Sequence, residues 1–397
     1  MVYHEAFATI RRPMVWTIAT LVFLTFLAYC QISHAEAQES QPENPGFVEV
    51  FEVNGLLDEV LADAISEALD EVQQNGARAL ILQVNSKQAV ISDAKLNQLA
   101  KQIFTSSVPI EVWIGPSGSS AHGKIAQLIS VANSLGVSIG SSVGNTGEQV
   151  LDPEIYGEVW GANHEVLKST SFNWEQAIDK GIVQCERVEV DELGNTLTEK
   201  QQIARCANPT LGDFLVSRDS FLSEVISTEQ GPRLSPLTQT KIRGLSLLDQ
   251  LMHTIASPPV AYLLLISGLT LLLFEFFSIG IGIAGAIGAV VVALGSYGLA
   301  ALPIRLWSLV LILASMIAFA VDVQTVVPRI WTLIGQTAFI FGTIFLYPQE
   351  NVQMSWIPIV VGIVGIFILM SRGMPIMIRG RFATTKISSP SDREQVN

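Results

Sequence analysis

Short apolar runs alternate with helical patterns through the first half of the chain, and long apolar runs fill its last third. Residues 47–53, 79–84, 109–114 and 137–139 read as strands. Between them, 57–74 carries acidic residues at helical spacing, and 92–105 and 121–134 read as helices. Strand–helix alternation at this spacing predicts a parallel α/β layer structure. Further on, 173–180 followed by Gly181 predicts a short glycine-capped helix, leading into a strand over 182–190. Beyond residue 257 the polar face disappears. Apolar runs at 259–277, 280–302, 306–321, 330–347 and 356–371 predict about five membrane spans, several shorter than the ~20 residues that cross hydrocarbon most simply.

The two ends set the orientation. Arg11 and Arg12 precede an apolar run over 14–28, and Ala35-Glu36-Ala37 offers a cleavage site. Residues 1–37 therefore read as a signal peptide or N-terminal anchor, and 38–46 as a polar linker. The predicted units are an exported α/β domain over 47–215, a partly amphipathic connection over 216–257, and an all-α multi-span membrane domain over 258–372. A tail over 373–397 carries Arg379, Arg381, Lys386 and Arg393, with Arg372 just before it. An odd number of spans brings this basic tail to the cytoplasm, as the positive-inside bias requires. The expected location is the plasma membrane, multi-pass, with the α/β domain outside the cytoplasm.

Composition sharpens the picture in two ways. Only 15% of residues are charged, against about 25% in ordinary soluble domains. Residues 38–250 hold 29 acidic and 14 basic side chains, and 14 − 29 = −15. That field repels phosphate backbones, so nucleic acid is excluded as a partner of this part. The five histidines are scattered and no CxxC occurs, so neither a metal nor another cofactor is expected. Cys185 and Cys206 lie almost symmetrically about the turn-prone 191–195, between two strand-like arms. A cross-hairpin disulfide is expected there, since disulfides persist outside the cytoplasm. Glu275 and Asp322 sit at span ends and read as water-reaching acids at the interface, not as an ion path.

Several stretches, taken in order, resemble the NfeD-like membrane proteins, whose long forms join a ClpP-class serine peptidase domain to a membrane domain. They include Val50-Phe51-Glu52-Val53-Asn54-Gly55, Gly76-Ala77-Arg78-Ala79-Leu80-Ile81-Leu82, Gly115-Pro116-Ser117-Gly118 and Pro259-Val260-Ala261-Tyr262-Leu263-Leu264-Leu265. The tail stretch Arg379-Gly380-Arg381-Phe382 is similar to the family's entry into an OB-type barrel. The resemblance implies a ClpP/crotonase-like fold for the exported domain. It also implies chemistry built on a serine nucleophile, a lysine base and a Gly-Gly turn whose amides face the oxyanion.

The positions that would carry this chemistry have changed. Where the family has a glycine turn after the second strand, this chain reads Asn85-Ser86-Lys87-Gln88-Ala89. In the nucleophile segment, ungapped, the family's serine falls on Gly123. A shift of three places it on Ser120. Lys168 and Lys124 are the nearest substitutes for the family's lysine. The alternative for Ser117–Ser120 is a polar turn capping the helix that follows.

The resulting expectation is a catalytically inactive, serine-peptidase-like binding or scaffolding module in a homo-oligomer. The resemblance implies stomatin- or flotillin-like membrane proteins as partners, within a lipid bilayer. The alternative is an active Ser/Lys endopeptidase that cleaves apolar segments of membrane proteins.

Overall fold

The computed structural model describes residues 46–185, 197–218, 220–228, 231–277, 282–325, 330–348, 352 and 354–376. The signal or anchor segment, nearly all of the linker and the tail beyond residue 376 lie outside these residues, as do 186–190 of the strand expected over 182–190.

The α/β domain is built around β1 (Phe47–Leu57), which pairs in parallel with β2 (Ala79–Ala89). On the far side of β2 lie β3 (Ile110–Ile114) and then β5 (Ser134–Val137), both parallel. Alternate residues of β1 face two apolar layers, as expected for parallel strands buried on both sides. Phe47, Phe51 and Val53 pack with helices α1 (Glu59–Val72) and α2 (Asp93–Phe104). Val48 and Val50 pack with Trp113, Phe214 and Leu215 instead. Helix α1 buries Leu61, Ile65, Leu69 and Val72 at helical spacing, and the Asp58 side chain caps its start by accepting from Leu61 N.

The end of β2 turns away into a second set of short strands. β4 (Ser120–His122) pairs with β2 through Ser86 and Ala121, and β6 (Ser142–Gly144) pairs with β4. Antiparallel β7 (Ser171–Asn173) closes this side. None of these three was expected. The run 121–134, expected as one helix, is divided: only α3 (Lys124–Ile129) is helical. Gly123, with φ 70° and ψ −141°, makes the break in a conformation that favours glycine. Ile182 and Val183 are buried in the core as a bend rather than a strand. The expected connection over 216–257 also supplies an antiparallel pair, β8 (Ser223–Thr228) and β9 (Gly231–Pro236), and then β10 (Gln239–Arg243), which pairs in parallel with the outer edge of β1. There Arg243 reaches Glu49 and Glu71.

Cys185 and Cys206 form a disulfide with a Cα–Cα distance of 5.7 Å. The second arm differs from expectation, because Cys206 ends a helix over Glu199–Cys206. The bond joins positions 21 apart, so reduction should release about 3 kcal/mol of loop-closure stabilisation. For a domain of this size that is a melting temperature lower by roughly 6–12 °C. Equal melting with and without reductant would contradict it.

Among the described residues the membrane region has five apolar helices. Pro258–Phe277, Ile283–Ala300, Leu306–Thr325 and Trp356–Ile376 are long and apolar enough to cross a bilayer, and Ile330–Ile344 is shorter. Glycines set the close approaches. Gly268 and Gly295 of the first two helices leave a Cβ position only 2.7 Å and 2.6 Å from the other helix's backbone. Asp322 accepts from both the backbone N–H and the hydroxyl of Thr332 at the start of the fourth helix. It therefore ties two helix ends together.

Candidate functional site

The C-terminal ends of β2 and β4 and the loop after β6 enclose a cleft of about 820 Å³. Lys87, His122, Gly123, Lys124 and Glu148 are among the residues lining it. Its back wall is fixed by the buried Gln127 of α3. Gln127 Nε2 donates to Thr146 O and Glu148 O at 2.8 and 2.7 Å, and its Oε1 accepts from Val150 N at 2.8 Å. Asn145 adopts a positive φ of 47° in this loop. Its carbonyl accepts from Gly123 N at 3.1 Å, so the two turns that face each other across the cleft are tied together.

The serines do not cap a helix. Ser117 Oγ donates to Ile139 O, Ser119 is buried, and Ser120 lies in β4, where its N–H donates to Asn85 Oδ1 at 3.3 Å. The helix after Gly123 has no side-chain cap. Ser120 Oγ accepts from Ser142 Oγ at 3.3 Å, and Ser142 Oγ lies 3.0 Å from His122 Nε2. Burial pushes the His122 imidazole below its ordinary value, and the charge of Lys87 adds to the shift. The ring is therefore neutral near pH 7. The residues of this His–Ser–Ser chain come from two short strands 20 positions apart, and only their pairing brings them together.

The two candidate lysines are held elsewhere. Lys124 Nζ donates to Ile91 O at 2.6 Å and pairs with Asp93 at 2.8 Å. Lys168 pairs with Glu148 at 2.6 Å, and that hydrogen bond and charge hold its ammonium above the ordinary value. A lysine raised in this way stays protonated and cannot accept a proton at neutral pH. Among the described residues no lysine hydrogen-bonds Ser117, Ser119 or Ser120.

At the family's glycine turn, residues 85–89 continue β2, and Val90 N donates to Leu57 O at 2.9 Å. Gly123 occupies the strand-to-helix turn, and a Cβ built there would meet nothing within 4 Å. The turn thus points open space at the cleft, with no side chain to fill it. No group of three or more His, Cys, Asp or Glu able to hold a metal occurs among the described residues.

Residues 259–372 match the model of the NfeD integral membrane domain, in agreement with the resemblance read from the sequence. The membrane-bound protease PH1510 of Pyrococcus horikoshii is 21% identical over 327 residues, covering 76% of this chain and 69% of the relative. Two solved structures are similar to the N-terminal part. One is a lysine-to-alanine variant of the 1510-N membrane-bound stomatin-specific protease, in complex with a substrate peptide. It is 14% identical and covers 54% of this chain and 99% of that one, with a TM-score of 0.34. The other is the 1510-N membrane protease specific for a stomatin homolog from Pyrococcus horikoshii. It is 16% identical over 53% of this chain and 98% of that one, with a TM-score of 0.35.

Proposed function

Taking this chain as an NfeD-like membrane protein homologous to the membrane-bound protease PH1510, we propose that its α/β domain binds a membrane protein in the cleft without cleaving it. The observation that carries this reading is Gly123. The sharp turn between β4 and α3 is where an attacking side chain would be displayed to the cleft, and glycine has none. The lysines reinforce it, since both are engaged in ion pairs away from the serines. The 1510-N relative is described as stomatin-specific, so the proposed partner is a stomatin- or flotillin-like membrane protein. A homo-oligomer at the plasma membrane, with the α/β domain outside and the tail in the cytoplasm, completes the proposal. The disulfide supports that side assignment.

The reading of an active endopeptidase has one observation in its favour. Neutral His122 contacts Ser142 and, through it, Ser120. Against it, Ser120 is buried, and the ammonium groups of both candidate lysines are held by Ile91, Asp93 and Glu148.

The test mixes the full-length protein in mild detergent with a purified stomatin homologue. Co-elution with the partner intact is the expected result. Cleavage that disappears in Ser120→Ala, with the fold retained, overturns the proposal in favour of the peptidase. Failure to co-elute removes the partner assignment.

A further inference from the structure

After α3 the α/β domain adds α4 (Pro153–Tyr156), α5 (Glu158–Leu167), α6 (Trp174–Asp179), α7 (Glu199–Cys206) and α8 (Leu211–Val216). Helix α9 (Leu247–Ile255) then leads into the first membrane span, with only Ala256 and Ser257 between the two. At 100° per residue, Leu247, Leu248, Leu251 and Ile255 occupy one stripe, while Asp249 and His253 lie opposite, with Gln250 beside them. The two faces meet different surroundings. On the polar face, His253 Nδ1 bonds Asp58 at 3.0 Å and Nε2 bonds Asn54 O at 3.2 Å, which fastens α9 to the α/β domain. On the apolar face, Ile255 is buried at the top of the membrane region, its carbonyl against Gly298 of the second span. Leu251, Leu248 and Leu247 continue that stripe outward, yet they are 52%, 65% and 88% exposed.

We infer that α9 is an interfacial helix whose leucine stripe is embedded in the lipid headgroup and upper acyl layer, holding the α/β domain against the bilayer. Three arguments identify the lipid as the occupant. The stripe is continuous with the buried apolar surface of the membrane region at Ile255. The two residues before the span reach at most ~7 Å, so the inner end of α9 is fixed at the membrane surface, within the ~5–10 Å depth that interfacial helices occupy. Finally, the His253 contacts turn the leucines away from the α/β domain, so no described residue of that domain covers them.

The polar face holds Asp249 and no lysine or arginine, and residues 38–250 carry −15 overall. Anchoring therefore rests on apolar insertion and not on attraction to anionic headgroups, which makes it insensitive to salt. One consequence is a cleft held at a fixed height above the membrane, whatever binds there.

Nitroxide labels on cysteines test this in full-length protein reconstituted in phosphatidylcholine nanodiscs. Leu247→Cys, Leu248→Cys, Leu251→Cys and Gln250→Cys are made with Cys30→Ser and the Cys185–Cys206 disulfide intact. Labels at 247, 248 and 251 are expected to collide with oxygen and to be shielded from a water-soluble nickel chelate, at low and high salt alike. The label at 250 is expected to show the reverse. Nickel accessibility at 248 equal to that at 250 overturns the inference. So does spin–spin broadening at 248 with loss of both accessibilities, because the stripe would then be covered by a second copy of this chain.

Discussion

Gly298→Leu is expected to eliminate the folded, monodisperse protein in mild detergent, while the same change at Gly365 leaves its elution and melting unchanged. A Cβ at position 298 would overlap the carbonyl oxygen of Ile255 and lie 2.8 Å from Ala261 Cβ. The first of these is a backbone atom held in the last turn of α9, so no rotamer change relieves the clash. Three residues earlier in the same helix, Gly295 leaves its Cβ position 2.6 Å from Leu265 N. The first two spans therefore meet backbone to backbone, the arrangement small residues permit in membranes. Forcing a leucine into that contact costs about 3 kcal/mol or more, because overpacking and helix separation act together. At Gly365 a Cβ meets nothing within 4 Å, which makes it the matched control. Identical melting of the two variants would mean that the contact at 298 is not part of the folded protein.

The parts of the fold legible in the sequence are those whose signal is local. The runs behind β1, β2 and β3 are mostly apolar because both faces of those strands are covered, and the membrane helices announce themselves by length alone. The illegible parts owe their conformation to partners distant in the chain. β4, β6 and β7 have three residues each, too few to show a period, and exist only as paired neighbours. β10 reads Gln-Thr-Lys-Ile-Arg and is largely exposed, so nothing in its pattern marks it as the edge partner of β1. The run 121–134 misleads because Ile125, Leu128 and Ile129 have helical spacing, while Leu135 and Val137, just beyond it, belong to β5.

The candidate site divides along the same line. Gly123 and Ser120 were readable as the two alternative positions for the family's nucleophile, and the positive φ of Gly123 is the local reason a strand can turn into α3 there. What holds each lysine was not readable, since Lys124 is caught by Ile91 and Asp93 and Lys168 by Glu148. The His122–Ser142 contact was equally hidden, because only the pairing of β4 with β6 creates it. Cys185 and Cys206 suggested a disulfide by symmetry about a turn, but the helical arm ending at Cys206 was not foreseen.

Asp58→Ala is expected to lower stability by about 3 kcal/mol near pH 6, through two contributions that pH separates. Asp58 is 1% exposed, and its Oδ1 accepts from Leu61 N at 2.9 Å while also meeting His253 Nδ1 at 3.0 Å. Loss of the helix cap accounts for about 1 kcal/mol, and loss of a charge-assisted hydrogen bond for about 2 kcal/mol. Burial pulls the His253 imidazole down, but the Asp58 hydrogen bond and charge and the Asn54 carbonyl outweigh it, so the net shift is upward. With acceptors at both ring nitrogens, the favoured form is the imidazolium, which donates at both. A raised folded pKa means that this stabilisation is complete below the unfolded value of about 6.5 and is lost as pH rises through the folded value. The penalty of Asp58→Ala should therefore shrink toward the cap contribution at about pH 9. Asp58→Asn, which keeps an oxygen for Leu61 N–H but no charge, should lose mainly the pH-dependent part. Thermal melts of the three proteins at both pH values decide the matter. A penalty of equal size at both would reduce Asp58 to a helix cap and leave His253 without a role in joining the α/β domain to the membrane region.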